Sequence, residues 1–520
     1  MGFALPNRTP LSAFRTSHSM NASLMIPEIA VLVLALGLLL LDLWTPVERK
    51  RLLGYGAALA LSLILVYSFF KLDSGTSQFA FGHSYVLDGL AIFFKRFFLL
   101  AAIIVLLMSV EFANRIETAI SEFYSLVVLA LAGMMFAASA NDFMMLFVSV
   151  ELITISFYVL TSFQRNRLRS LEAGIKYLIL GALSTGFTVF GIALVYGMTG
   201  TMGFEQMARD SARFAEQPLF LLGLCFVLVG LGFKIAAFPV QIWAPDVYQG
   251  SPAPTTAFLA VGSKAAGFVL LLRVLFTAAP AVTARWTTLL AIISGVTILY
   301  GNLCAIPQRN LKRLLGYSSI AHAGYMLLGV AAMAADIKNP TPGGAAILYY
   351  LSGYLFTVLA AFSVICLILR KAEVEDFSAL AGLSRRSPLL AATMSLAMVS
   401  LAGIPPLAGF FGKFLLLKAV VEQGSSHSAY YWLVAAAIVG VVISIYYYFG
   451  VVRAIYWSQP SADLSPIEIS KPLELTVYVC VLGMLYLGIF PDATLKIASR
   501  AVSALTSSPV NADRAGVPSQ

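Results

Sequence analysis

Charge is what this sequence has least of. Only 11% of its 520 residues are Asp, Glu, Lys or Arg, whereas soluble domains carry about a quarter. That is too little to cover several water-soluble domains, so a soluble reading is excluded. Cysteine is scarce as well. Cys225, Cys304, Cys366 and Cys480 are far apart, with no CxxC and no Cys/His cluster. This excludes an iron–sulfur or zinc site built within the chain and predicts no disulfide. There is no Walker A loop and no GxGxxG motif, so nucleotide chemistry is not done here. No bound cofactor and no metal is expected. The net charge of +9 does not point to nucleic acid, because the basic residues lie in short loops between apolar runs, where membrane orientation explains them better.

What the chain has is apolar length. Hydrophobic residues make up 59% of it. A bilayer core needs about 20 apolar residues per helix, and about fourteen such segments can be read: 26–45, 52–70, 89–109, 123–140, 142–162, 173–197, 218–249, 255–276, 287–306, 314–334, 344–369, 388–421, 429–450 and 473–491. The expected fold is all-α, a polytopic membrane protein. The connections after odd-numbered spans hold most of the loop Lys and Arg, among them Arg49, Lys50, Arg51, Arg115, Arg165, Arg167, Arg169, Arg309, Lys312, Arg313, Arg370, Lys371, Arg385, Arg386 and Arg453. The positive-inside rule then puts these connections in the cytoplasm and both termini on the other, periplasmic side. The polar stretch 1–24 lacks an apolar core and is expected to be a disordered tail, with Met20 or Met25 as alternative starts. The tail from Ser507 to Gln520 is expected to be disordered too.

Two segments are too long for a simple span. Residues 218–249 contain Pro239 and Pro245, and residues 388–421 contain Pro405 and Pro406. Proline removes a backbone donor and clashes with the preceding turn. Both segments therefore read as interrupted helices, with simple proline kinks as the alternative. Irregular backbone survives at membrane depth only where protein buries it or water reaches it. Paired interruptions in two halves of a chain mark a transporter's working site.

Several charges lie inside the spans. Lys95, Arg96, Lys176, Arg273 and Lys418 stand near helix ends, where long side chains can snorkel to the interface; truncating Lys95 is expected to matter little. Glu172, four residues before Lys176, is placed to pair with it. Glu151, Lys234, Lys264 and Lys413 stand at mid-depth or beside the proline breaks, where an ionised side chain costs about 2.5–3.5 kcal/mol or more. Four such groups suggest proton transfer, since a buried lysine beside a carboxylate can load and release a proton. A structural ion pair between Glu151 and Lys234 is the plainer alternative. His322 is a further carrier by its near-neutral titration, or else a satisfied interior side chain. No acidic cluster suitable for a metal cage is visible.

Four motifs add to this reading: Gly232-Phe-Lys-Ile-Ala-Ala-Phe-Pro-Val-Gln-Ile-Trp-Ala-Pro-Asp-Val-Tyr-Gln-Gly-Ser-Pro252, Gly262-Ser-Lys-Ala-Ala-Gly267, Leu314-Leu-Gly-Tyr-Ser-Ser-Ile-Ala-His322 and Gly403-Ile-Pro-Pro-Leu-Ala-Gly-Phe-Phe-Gly-Lys413. With them, roughly residues 25 to 495 resemble the antiporter-like membrane subunits of respiratory complex I, the NADH-quinone oxidoreductase. The resemblance implies two inverted five-helix repeats, each with one interrupted helix. It implies a tail (1–24), three leading helices (25–118), a first repeat (119–280), a second repeat (281–460) and a last helix with its tail (461–520). The family's relay glutamate falls on Glu151 and its relay lysines on Lys234, Lys264 and Lys413. Lysine at 413 separates the chain from a sister subunit with glutamate there, and the short C-terminus separates it from the largest sister, which continues into a lateral helix. The implied function is proton translocation in a bacterial inner membrane, driven by NADH oxidation and quinone reduction. FMN, iron–sulfur clusters and the quinone site would belong to partner subunits. A multi-subunit cation/proton antiporter and a non-conducting structural subunit are the alternatives.

Overall fold

A computed structural model of the chain describes residues 21–72, 77–113, 119–369, 375–424, 428–458 and 465–506. The stretch 1–20, the tail from Ser507, and Arg115, Arg370 and Lys371 of the charge pattern lie outside the described residues. Helices α1 (Ile26–Asp42), α2 (Lys50–Lys71) and α3 (Gly89–Phe112) come first, with a short hairpin, β1 (Gln78–Ala80) and β2 (Tyr85–Leu87), before α3. Then follow α4 (Ile120–Ala138), α5 (Phe143–Thr161), α6 (Leu168–Thr199), the surface helix α7 (Phe204–Phe214), α8 (Pro218–Ile235), α9 (Trp243–Gly250) and α10 (Ala253–Ala278). The second half holds α11 (Thr287–Ala305), α12 (Leu311–Ala335), α13 (Thr341–Ile368), α14 (Pro388–Ala402), α15 (Ala408–Gly424), α16 (Ala429–Tyr456), α17 (Lys471–Ile489) and α18 (Pro491–Thr506).

Thirteen of the described helical segments are long and apolar enough to cross a membrane, and α14 with α15 adds a broken one. Both proline-bearing segments are broken rather than kinked: α8 stops before Pro239 and α14 before Pro405. The order of elements repeats. In α4–α10 the fourth crossing is the broken pair α8/α9; in α11–α16 it is the broken pair α14/α15. Five crossings per set is an odd number, so the second set enters from the opposite face. Helix α10 is buried on every side, Lys264 and Arg273 included; among its residues only Thr277 is not buried. It forms the centre, packed against α3, α4, α8 and α13.

Two cations expected to reach the interface do not. Lys95 is fully buried, 2.7 Å from Glu28 of α1 and 2.7 Å from the hydroxyl of Tyr85, which itself donates to Glu28 at 3.0 Å. Arg273 is buried and grips both oxygens of Asp88, at 2.9 and 3.1 Å, while donating to the carbonyl of Ala138. Both stand near helix ends, but those ends are covered. The hairpin is stitched to the α4–α5 turn through Val86 and Asn141, and the apolar face of α18 lies over α3 and α13. Together they seal the surface that a snorkelling side chain would need. Arg96 is half-buried, donating to the carbonyl of Ser68 at 2.7 Å, and Lys418 is exposed, 3.8 Å from Glu422. Lys176 pairs with Glu172 at 2.7 Å, as its spacing predicted, and also with Asp246 at 2.7 Å.

Removing one member of a buried pair strands its partner's charge, at a cost of about 3–5 kcal/mol, while replacing both with neutral groups is often harmless. Lys95→Ala is therefore expected to lower the thermal midpoint and membrane abundance of the folded protein sharply. Lys95→Met combined with Glu28→Gln should recover most of the loss. A wild-type melting curve for Lys95→Ala would show that the pair contributes nothing.

Candidate functional site

The two helix breaks create the polar interior. At the first, α8 ends with Ala236 in the left-handed region (φ 58°). The amide of Ala236 returns to Phe233 and that of Ala237 to Gly232, the paired bonds that terminate a helix on a left-handed residue. Side chains add two bonds: Trp243 Nε1 also donates to the carbonyl of Phe233, at 3.0 Å, and the amide of Phe238 donates to Thr297 of α11 at 3.1 Å. At the second break Gly403 takes the left-handed position (φ 85°), with the same pair of returning bonds, from Gly403 to Ser400 and from Ile404 to Val399.

Each break presents a lysine. Lys413, one helical turn into α15, reaches back and donates to the carbonyls of Leu401 and Ala402 at 2.8 and 3.1 Å. These are orphan acceptors at the end of α14, where the helix dipole favours a cation. The space it uses exists because residue 403 is glycine: a Cβ there would stand 2.9 Å from Cδ of Lys413. Lys234 lies in the last turn of α8, buried, and donates to Thr154 of α5. Glu151, one turn before Thr154, is half-buried and accepts from Thr185 of α6 at 2.8 Å. The plainer alternative, an ion pair of Glu151 with Lys234, is not formed; each instead contacts a threonine hydroxyl. Thr154, Ser184, Thr185, Thr188 and Lys234 line a small cavity of about 10 Å³, close to the volume one water needs.

Lys264 is buried at the centre of α10, directly after the π-helical turn Leu259–Ser263. Such turns are rare and frequent at functional sites. Its ammonium donates to the carbonyl and hydroxyl of Ser319 on α12. The Ser319 hydroxyl also meets Tyr248 of α9 at 2.8 Å and Tyr354 of α13 at 3.2 Å. One turn further along α12, His322 is buried with both ring nitrogens engaged, Nδ1 by Tyr350 and Nε2 by Tyr448 at 3.0 Å. Tyr448 continues to Ser318. The Tyr325 ring lies 4.9 Å from the ammonium of Lys413 and 6.1 Å from the His322 ring.

Glu151 and Lys234 thus lie around the α5–α6–α8 cavity, Lys264 and His322 around α12, and Lys413 at the second break; the hydroxyls that contact them do not follow from the five residues alone. Thr154, Thr185, Tyr248, Ser319, Tyr350, Tyr354 and Tyr448 are hydroxyls in apolar helices, individually common and cheap. The available signal was helical phase: Thr154 stands three residues from Glu151, and Ser319 three from His322, spacings that share a helix face. Among the described residues no group of three or more His, Cys, Asp or Glu could hold a metal ion.

Residues 140–444 match the profile of the family described as NADH:quinone oxidoreductase/Mrp antiporter, transmembrane. The NADH-quinone oxidoreductase subunit N of Trichlorobacter lovleyi is 40% identical over 492 residues, covering 93% of this chain and 98% of its own length. The chain belongs to the subunit N family of NADH-quinone oxidoreductase. A chain of respiratory complex I from Thermus thermophilus with bound aureothin superposes with a TM-score of 0.75 at 34% identity, covering 91% of this chain and 100% of that one. A chain of the Mrp complex from Dietzia sp. DQ12-45-1b shares the fold, with a TM-score of 0.80 at 20% identity over 93% of this chain and 98% of that one.

The two left-handed positions make opposite predictions. A non-glycine residue there costs about 1–2 kcal/mol. Gly403→Ala should destabilise by about that much and push Lys413 off the Leu401 and Ala402 carbonyls, whereas Ala236→Gly should be neutral or slightly stabilising. Thermal midpoints in detergent, measured side by side, would check the pair; equal effects would contradict the geometry.

Proposed function

We propose that this chain is the proton-translocating subunit N of an NADH-quinone oxidoreductase, and that Glu151, Lys234, Lys264, His322 and Lys413 form its proton relay. The observation that carries this reading is the kind of partner each lysine has. Lys234, Lys264 and Lys413 contact hydroxyls and carbonyls, so each can give up a proton without stranding a buried carboxylate. Lys95, held to Glu28, cannot. The hydroxyls of Thr154, Thr185, Ser319, Tyr350 and Tyr448 both donate and accept, so they can pass protons between the titrating groups, with water filling the remaining gaps.

In this reading residues 119–280 and 281–460 are the two repeats, flanked by helices within 25–118 and 461–520. Lys264 and Ser319 join them, since Lys264 lies in the first and Ser319 in the second. The chain sits in a bacterial inner membrane with both termini on the periplasmic side, because the arginine-rich connections share the opposite face. Its partners are the other membrane and peripheral subunits of the complex. FMN and iron–sulfur clusters reside in partners, and the quinone is reduced there; this chain supplies proton transfer alone. A subunit of a cation/proton antiporter is the second reading, supported by the shared fold at 20% identity, well below the identity to subunit N relatives.

Arginine keeps its charge but is effectively never deprotonated. If Lys413 carries protons, Lys413→Arg should lower the protons moved per NADH oxidised nearly as far as Lys413→Ala, in membrane vesicles at matched assembly. Full pumping by the arginine variant would leave Lys413 only an electrostatic role. In the same assay Ser319→Ala should slow pumping and Ser319→Thr, which keeps the hydroxyl, should retain most of it. Sodium-driven proton exchange with no NADH dehydrogenase co-purifying would favour the antiporter reading.

A further inference from the structure

Away from the proton path, a groove of about 1020 Å³ opens at the ends of α11 and α16 and the start of α12. It lies on the face that carries the arginine-rich connections. Two of its lining residues, Arg309 and Arg453, are exposed cations. Their neighbours on this face have acids: Glu375 serves Arg167 and Lys312, and Asp246 serves Lys176 and Arg313. Among the described residues no carboxylate lies within ion-pairing distance of Arg309 or Arg453.

The rest of the groove is graded in polarity along α16. Arg453 stands at the helix end beside Trp457, which is 75% exposed. Two turns back, about 10 Å deeper, Tyr446 is 71% exposed, with Phe449 between them. Deeper still, Val442 and Ile438 continue the exposed strip. Guanidinium, then aromatic, then aliphatic is the order in which an anionic phospholipid presents phosphate, glycerol ester and acyl chain. Trp and Tyr settle at the interface level of a bilayer, and basic grooves between helices suit anionic head groups.

We propose that this groove binds an anionic phospholipid, with Arg309 and Arg453 holding its phosphate and the exposed strip of α16 holding an acyl chain. A free phosphate ion would leave the apolar strip unused. A neighbouring membrane subunit lying here would bury two unpaired guanidinium groups unless it brought its own acids.

The test uses the whole purified membrane complex that contains the chain, in nanodiscs doped with photoreactive phosphatidylglycerol or, separately, photoreactive phosphatidylcholine. Phosphatidylglycerol is expected to label the 446–457 peptide in preference to phosphatidylcholine, and excess inorganic phosphate should not displace it. In the Arg309→Ala/Arg453→Ala double variant the labelling should fall by roughly 25-fold, because each cation near an anionic headgroup contributes about a factor of five. Arg309→Lys/Arg453→Lys should keep part of it. Equal labelling by the two lipids, unchanged labelling in the double alanine variant, displacement by phosphate, or cross-linking of Trp457→Cys to a neighbouring subunit would each overturn the proposal.

Discussion

Breaking a helix inside a bilayer frees carbonyl and amide groups that lipid cannot satisfy, and much of this fold is arranged around two such breaks. The solutions differ in detail. At the first, an aromatic side chain and a threonine from another helix close the open groups, through Trp243 and Thr297. At the second, a lysine does so: Lys413 spans the gap to Leu401 and Ala402. One break is thus closed by neutral donors while its lysine turns toward α5, and the other uses its lysine as the closure. In the proposed relay this makes Lys413 both a structural cap and a carrier. Moving its proton changes the charge facing the end of α14.

Buried cations in this chain fall into two groups by their partners. Lys95 and Arg273 sit against Glu28 and Asp88; the first pair ties α3 to α1, and the second ties the start of α3 to α10. Arg273 lies on α10, and so does Lys264, nine residues earlier. The Asp88 grip therefore fixes one end of the central helix whose middle carries the candidate lysine. The second group, Lys234, Lys264 and Lys413, has neutral partners. A carboxylate at contact distance holds a lysine charged, while hydroxyls and carbonyls accept a proton-bearing ammonium and tolerate its loss. Partner chemistry separates anchors from candidate carriers better than depth along a helix does.

Depth was what the sequence made legible. It placed the spans, both breaks, and Lys234, Lys264 and Lys413 within them, because apolar runs and prolines are local signals. Lys95 and Arg273 were misread for the same reason. Position within a span says how far a side chain is from the end of its helix, but not whether that end is open to water. Here a two-stranded hairpin and the terminal helix α18 cover it, and neither announces itself as a strong hydrophobic run. Glu28, the partner of Lys95, lies 67 residues away in the chain, a pairing that only tertiary packing reveals. The gap between Glu151 and Lys234 was missed for a related reason. Opposite charges at similar depth suggest contact, and the hydroxyl of Thr154 interposed between their helices could not be inferred from either residue alone.

That interposition bears on how the interior could work. A direct Glu151–Lys234 pair at membrane depth would lock both charges, since separating them in a low-dielectric setting is costly. With Glu151 bonded to Thr185 and Lys234 to Thr154, facing a cavity near the size of one water, the two charges feel one another without being joined. Glu151 is also half-buried on a face of α5 that exposes Met144, Val148 and Ile155. Its environment thus depends on whatever lies against α5, whereas Lys264 and His322 are enclosed entirely by this chain. A change at that outer face would act on Lys234 through space across the small cavity rather than by breaking a salt bridge. At Ser319 one hydroxyl touches Lys264, Tyr248 and Tyr354 from three different helices. An interior of lysines linked by hydroxyls can shift charge in small steps. One of paired carboxylates and lysines would have to move it all at once.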